Sequence, residues 1–418
     1  MPRPRPYHLT AGLAAGAVAL ALAACTADAD PSTDGQDPVA EAESEPESEP
    51  ESGTPRVEAA TPFAADVSVP GGVRRVAVDS PVSVTAAAGT LERVVAYHGR
   101  RGPDTALPGR MNQNGSRWSL EDGALEPGMT YKVLSTGTNE DGKRRTVRDT
   151  FSTDNLTLDE QTYPSVAPLD GETVGVGMPV IVNFDLPVTN RAAIEKRLSV
   201  SSKPQVKGSW HWLSDTEVHF RPRTFWPSGA DVDVDVDINS VDAGNGIYGQ
   251  EDRSVSFDVG DRIISTINVD THSMRVAVNG DTVRTVPISA GKPGFETRGG
   301  TKLIMEKFES KRMDAATTGI QPGDPEYYNI ANVEYAMRVT YSGEFLHAAP
   351  WSVGSQGSAN VSHGCVGMST ENAAWLFGIS HRGDVVQVNG SQRPIEYGNG
   401  WTDWDMSWAE YKAGSALT

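Results

Sequence analysis

A chain of 418 residues with 42 Gly, 27 Pro and 22% charged side chains is long enough for several folded units and rich in turns. That balance favours short-stranded β modules over helical bundles. The formal charge of −19 excludes a nucleic-acid surface, since a duplex repels it, but about ten of the acidic residues lie between Thr26 and Pro55 with no Lys or Arg among them.

Residues 1–24 read as an export signal. Arg3 and Arg5 precede an Ala-rich apolar run from Leu9 to Ala24 that is too short for an ordinary membrane-spanning helix. The ending Leu22-Ala23-Ala24-Cys25 resembles the lipobox of bacterial lipoproteins. That resemblance implies lipidation of Cys25 and an anchor on the outer face of the cell membrane; the plainer reading is a signal peptide that happens to contain a Cys. Residues 25–58 then hold the lipidated Cys and an acidic, disordered tether of Glu, Ser and Pro, which has nothing to bury and repels itself. Fully extended, it reaches up to roughly 100 Å. With Cys25 consumed by lipid, Cys365 has no disulfide partner. An unpaired thiol in an oxidising compartment is a liability unless it is used.

Short alternating strands broken by turns fill residues 59–155, as in Arg74–Val78, Leu91–Tyr97 and Thr130–Leu134. The texture recurs over 156–260, as in Val180–Phe184, Glu217–Phe220 and Asp231–Val236. Shared landmarks, Trp118…Pro127-Gly128 and Phe220…Pro227-Ser228-Gly229, predict two tandem Ig-like sandwiches. Residues 261–390 form a third, mostly β module. It opens with Arg262–Val269 and continues in a hairpin joined through Asn279-Gly280, a strong turn signal between alternating runs. One helix is predicted at Thr370–Gly378, capped by Ser369 or Thr370, just after Cys365. In the tail, 391–418, the spacing of Trp401, Trp404, Trp408 and Tyr411 places four aromatics on one helical face. This aromatic subdomain is expected to pack on the third module, with a carbohydrate platform as its alternative use.

The chemistry concentrates in Phe345–Ser369, which holds the unpaired Cys365 together with His347 and His363. A thiol becomes a nucleophile when its thiolate is favoured by an imidazole, a helix N-terminus or both. The helix beginning near Thr370 is expected to present its positive end to the sulfur. Gly364 lets the backbone approach closely and leaves amides free for an oxyanion. These parts suit acyl transfer through a thioester. No compact metal-ligand motif accompanies them, so neither metal nor cofactor is expected. His98, His211, His219 and His272 read as incidental.

Ser362-His363-Gly364-Cys365, with His347 in Phe345-Leu346-His347-Ala348-Ala349-Pro350-Trp351 eighteen residues upstream, resembles the signature of L,D-transpeptidases. Ala349–Gly354, the lipobox and the aromatic tail resemble the family's actinobacterial lipoprotein branch. The resemblance implies two Ig-like domains, a β-rich catalytic domain and peptidoglycan stem peptides as donor and acceptor. Cys365 would attack the L,D amide between the third and fourth stem residues and release terminal D-Ala. His347 would serve as base and then acid, oriented by the Ala348 carbonyl. The Gly364 and Cys365 amides would hold the oxyanion, and an acceptor amine would complete a 3→3 cross-link. The resemblance also implies carbapenem β-lactams as covalent inhibitors.

His363 is expected to support the site from behind, and Ser362 to line it. Ser342 and Gly343 match a substrate-contacting strand, and the segment 310–335 corresponds to a lid from which Tyr327 or Tyr328 would touch the peptide. Gly367 departs from the family pattern, which usually has Asn there, and is expected to alter substrate or β-lactam contacts without loss of chemistry. Two other functions stay open: an L,D-carboxypeptidase that resolves the same thioester with water, and a non-catalytic wall-binding spacer.

Overall fold

A computed structural model describes residues 60–69, 74–99, 106–121 and 125–418; Cys25 and the acidic tether lie outside these residues. Two four-stranded sheets occupy 64–153. One has the strand order 64–67, 83–88, 117–120, 109–111, and the other 74–76, 144–153, 130–138, 90–98. Their inner faces enclose Phe63, Val84, Trp118, Tyr131, Val133 and Phe151. The Glu126 N–H donates to the Tyr131 hydroxyl at 2.6 Å. This tyrosine corner at a strand entry is a device of Ig-like sandwiches, and it falls on the Pro127…Tyr131 landmark.

Residues 161–259 build two further four-stranded sheets and a small three-stranded one. Alternation decides which side faces in. In Asp231–Val236 the three Val are buried against the core while Asp231 and Asp233 stay exposed, because successive side chains point to opposite faces. Trp226 is 1% exposed and its indole N–H donates to the Met178 carbonyl at 2.7 Å. A buried indole needs such a partner.

The third module begins at strand Ile263–Asn268. A five-stranded sheet runs in the order 281–287, 273–278, 263–268, 385–389, 300–303. The turn Asn279-Gly280 closes the hairpin of 273–278 and 281–287 with φ of +54° and +100°, as a two-residue turn that matches strand twist requires. Behind it lies a four-stranded sheet in the order 306–314, 329–338, 345–348, 366–368. The helix Thr370–Ile379 is capped by Ser369, whose Oγ accepts from the Asn372 N–H, and buries Ala373 and Leu376.

The tail departs from expectation in two ways. Only Trp408–Ala413 is α-helical; Trp401 precedes a short 3₁₀ turn at Asp403–Asp405 that contains Trp404. It also packs on two neighbours: Ser391, Glu396, Asn399, Trp401 and Asp405 meet the third module, as expected, while Trp404, Trp408 and Tyr411 meet the second β sandwich, which departs from that expectation. The Arg221 guanidinium lies 4.5, 5.2 and 4.3 Å from the rings of Trp404, Trp408 and Tyr411. Those faces attract a cation that is itself only 2% exposed. His219, read as incidental, is fully buried between Asp403 (2.9 Å) and Glu217 (2.8 Å). His211 bonds the Tyr411 carbonyl oxygen and the Tyr397 hydroxyl, both at 2.8 Å. Trp401 shares one core with Leu303, Met305 and Val385 of the third module. The tail therefore fastens the two units together.

Candidate active site

Two neighbouring strands set the site. Phe345–Ala348 pairs in parallel with Val366–Met368, and His347 stands opposite Gly367. Cys365 is the residue just before the second strand, so the pairing brings the His and Cys loops to the same sheet edge. A cavity of about 290 Å³ is lined by His347, Cys365, Ser362, His363, Gly367 and Tyr328, among others. Six residues chosen from sequence thus meet around one space. Ser342 and Gly343 line a separate depression with Thr318 and Tyr341, which shares Tyr328 with the first. The Ser342 side chain is already engaged, its Oγ accepting from Asn399 Nδ2 at 2.9 Å.

The imidazole of His347 is 5% exposed and stacks on Trp351, ring centroids 5.8 Å apart. Its Nδ1 lies 2.7 Å from the Ala348 carbonyl oxygen. A carbonyl can only accept, so Nδ1 carries the proton and Nε2 is left as the free base. Burial lowers the pKa of His347, which keeps the ring neutral. Burial also pushes the Cys365 thiol up to about 12, opposed by a hydrogen bond from the Phe345 N–H. In this state the thiol donates to the Gly343 carbonyl oxygen, S···O 3.6 Å. Thiol and imidazole are therefore both neutral in this state.

Two expectations about the nucleophile's surroundings change. The helix at Thr370 does not reach the sulfur, because the strand Val366–Met368 and the cap Ser369 intervene. At about 3.3 Å per residue the separation is roughly 13 Å, beyond the first-turn range of a helix dipole. The Gly364 amide is not free either: its N–H donates to Ser362 Oγ at 3.1 Å, while that hydroxyl donates to the Cys365 carbonyl oxygen at 2.6 Å. The Cys365 amide lies outside this turn bonding and outside the strand ladder. Gly364 itself has φ +120°, a conformation open to glycine and strained for other residues.

The segment expected to act as a lid is part of a long hairpin, Glu306–Asp314 against Asn329–Arg338, with a connecting loop at 315–328. His363 fastens it. Its Nε2 bonds Glu326 Oε2 at 2.7 Å, and its ring packs on Phe295 and Tyr328. Lys292 bonds the same carboxylate, and the two donors together hold the Glu326 pKa below its ordinary value. Tyr328 faces the cavity, whereas the Tyr327 hydroxyl accepts from Asn329 Nδ2 at 3.1 Å. At Gly367 the backbone exchanges two 2.9 Å hydrogen bonds with Ser289, and a Cβ would stand 2.8 Å from that of Ala349. Ala349 occupies the space a side chain there would need.

Sequence reading missed Glu326 and Lys292, and also a buried ionic group behind the nucleophile. Glu344 accepts from the Arg298 N–H (2.9 Å), Arg298 Nη1 (3.1 Å) and Lys302 Nζ. An acid in a loop, or a lone charge in a strand, looks like ordinary solvated surface until the fold brings its partner to it.

The fold and site define an enzyme-like thiol–imidazole cavity on a mostly β module that follows Ig-like sandwiches. Comparison with known proteins agrees. Residues 73–242 match a bacterial Ig domain, and residues 262–388 match an L,D-transpeptidase catalytic domain. L,D-transpeptidase 2 of Mycobacterium tuberculosis (strain CDC 1551 / Oshkosh) is 37% identical over 366 residues, 87% of each chain. L,D-transpeptidase 5 of M. tuberculosis (strain ATCC 25618 / H37Rv) is 32% identical over 81% of this chain and 74% of its own. The solved LD transpeptidase LdtMt1 in complex with imipenem covers 55% of this chain and 99% of its own, at 37% identity and a TM-score of 0.48. The chain belongs to the L,D-transpeptidase family.

Proposed function

We propose that this protein cross-links peptidoglycan by cysteine-dependent L,D-transpeptidation, with Cys365 as nucleophile and His347 as general base and acid. The observation that carries the residue assignment is the shared cavity in which His347, its Nδ1–H spent on the Ala348 carbonyl, offers a free Nε2 beside a buried thiol. Substrate binding turns the S–H from Gly343 O towards Nε2. The sulfur then attacks the carbonyl carbon of the L,D amide as its proton passes to the imidazole. The Cys365 N–H steadies the oxyanion, joined by the Gly364 N–H once it leaves Ser362 Oγ. Collapse breaks the C–N bond, and the imidazolium proton goes to the departing D-Ala amine. An acceptor amine then attacks the thioester, loses its proton to His347, and returns the thiol as the 3→3 amide forms.

Purified protein given disaccharide-tetrapeptide is expected to yield dimer one D-Ala lighter than two monomers, seen by mass spectrometry. Monomeric tripeptide without dimer would assign the thioester to water, and the protein would be an L,D-carboxypeptidase. A carbapenem is expected to add covalently to the wild type and not to Cys365→Ala. An adduct that persists in the variant would remove Cys365 from the mechanism.

The export signal and lipobox place the enzyme, in this reading, outside the cytoplasmic membrane on a lipid anchor at Cys25. Cys25→Ala is expected to move the protein from the membrane fraction to the medium. Retention would mean that something other than this lipid holds it.

A further inference from the structure

Behind the nucleophile lies a pair of charges that the mechanism above does not use. Lys302 is 1% exposed and Glu344 3%, and they bond each other. Burying an ion pair is costly, and an apolar pair of similar volume is often as stable. Stability alone does not explain its presence. Its position does. Glu344 stands in sequence between the two backbone groups that touch Cys365 Sγ, the Gly343 carbonyl that receives the thiol and the Phe345 N–H that donates to the sulfur.

Both carboxylate oxygens of Glu344 are clamped, one by the Arg298 N–H and guanidinium and the other by the Lys302 ammonium. Its own N–H donates to Thr340 Oγ1 at 2.9 Å. The same clamp reaches the other side of the sulfur. Thr297, next to Arg298, donates its hydroxyl to the Gly364 carbonyl oxygen at 2.8 Å. A Cβ at Gly364 would stand only 3.5 Å from Glu344 Oε1.

We propose that the Lys302–Glu344 pair is a positioning device for the Cys365 nucleophile: Glu344 fixes the two peptide groups that touch the sulfur, and Lys302 balances the carboxylate so that a thiolate can form beside it. The inference rests on the transpeptidase reading for its purpose, but its test does not. Charged or titratable groups around the sulfur are Glu344, Lys302, Arg338, Tyr328, His347 and His363, with Arg298 bonded to Glu344 behind them. The Glu344 carboxylate disfavours the thiolate, and the Lys302 and Arg338 cations favour it.

The experiment measures the rate of Cys365 alkylation by iodoacetamide against pH in the full chain, with Cys365→Ala as blank. Lys302→Met takes the ammonium from one carboxylate oxygen and leaves Arg298 as the remaining cation on the other. It is expected to move the profile to higher pH and slow alkylation about tenfold at fixed pH. Lys302→Arg is expected to stay within about threefold of wild type. The double variant Lys302→Met/Glu344→Leu removes both charges while keeping an apolar fit. Its alkylation profile is expected to return close to wild type, while turnover stays about tenfold down because the Gly343 and Phe345 groups are no longer held. An unmoved profile in Lys302→Met, with only a lower melting temperature, would overturn the proposal. So would full turnover in the double variant. If wild type alkylates as described but forms no dimer, the functional reading fails and the positioning inference stands.

Discussion

Cys365→Ser and His347→Gln are each expected to cut dimer formation by about 10³-fold or more, and the double variant to be hardly worse than either alone. The reason is geometric. The resting sulfur carries its proton, because burial pushes the thiol up to about 12, and the imidazole is neutral for the same cause. Neither group is active by itself. In the proposed mechanism the thiolate forms by transfer to Nε2, so removing donor or acceptor removes the same step. A residual rate is expected from the cavity and the backbone donors, which both single variants keep. The substitutions are small enough to test cleanly. Cys365→Ser changes one buried atom, and Gln at 347 retains a side chain to lie against Trp351. Thermal unfolding should shift by only a few degrees in either. If the two losses multiply in the double variant, the residues act independently and the proton-transfer link between them is wrong.

Much of the scaffold is legible in sequence because alternation and turn chemistry act locally. Asp231–Val236 announces its buried face by its own Val spacing, and Asn279-Gly280 announces the hairpin by its tolerance of positive φ. Cys365 and His347 stand out because the short stretch Phe345–Ser369 holds one of the two Cys of the chain together with two of its eight His. What stays hidden is pairing across long separations. Lys302 sits in a short strand where a charge reads as solvent-facing, and only the fold places Glu344, 42 residues on, against it. Glu326 reads as one more loop acid, yet it ties the loop of the long hairpin to His363, 37 residues away. Aromatic spacing in the tail shows that Trp404, Trp408 and Tyr411 act together. It does not show that their partner is Arg221 of the second sandwich, since any cation or apolar face would suit the same pattern.

The junction between that sandwich and the tail should make stability depend on pH through His219. Two carboxylates outweigh the burial that opposes its charge, and its pKa rises to about 9 from an ordinary 6.5. A raised pKa means that the folded state binds the proton more tightly than the unfolded chain. Its stabilisation is therefore full below pH 6.5 and is lost as pH climbs through about 9. Asp403 moves the other way: despite burial, His219 holds its pKa below the ordinary 3.8, so its share is present above that value and is lost on further acidification. The junction is tightest between about pH 4 and 6.5.

His219→Gln leaves the Asp403 carboxylate buried without its cation, with the Tyr411 hydroxyl at 3.2 Å as its remaining side-chain donor. Breaking a buried pair in this way costs about 3–5 kcal/mol. For a unit of this size that is a fall in Tm of roughly 6–12 °C at pH 6. At pH 10 the wild type has itself lost the imidazolium, and the difference between the two proteins should shrink to a few degrees. Activity should follow stability. The tail loop carries Asn399, whose amide oxygen accepts the Ser342 N–H at 2.9 Å and so braces the turn that offers Gly343 O to the thiol. Turnover of His219→Gln at pH 6 should therefore drop before the protein unfolds. Paired melting curves at pH 6 and pH 10 decide the matter. A difference in Tm that stays constant across that range would mean that His219 is neutral in the folded protein and that the junction is held by aromatic packing on Arg221 alone.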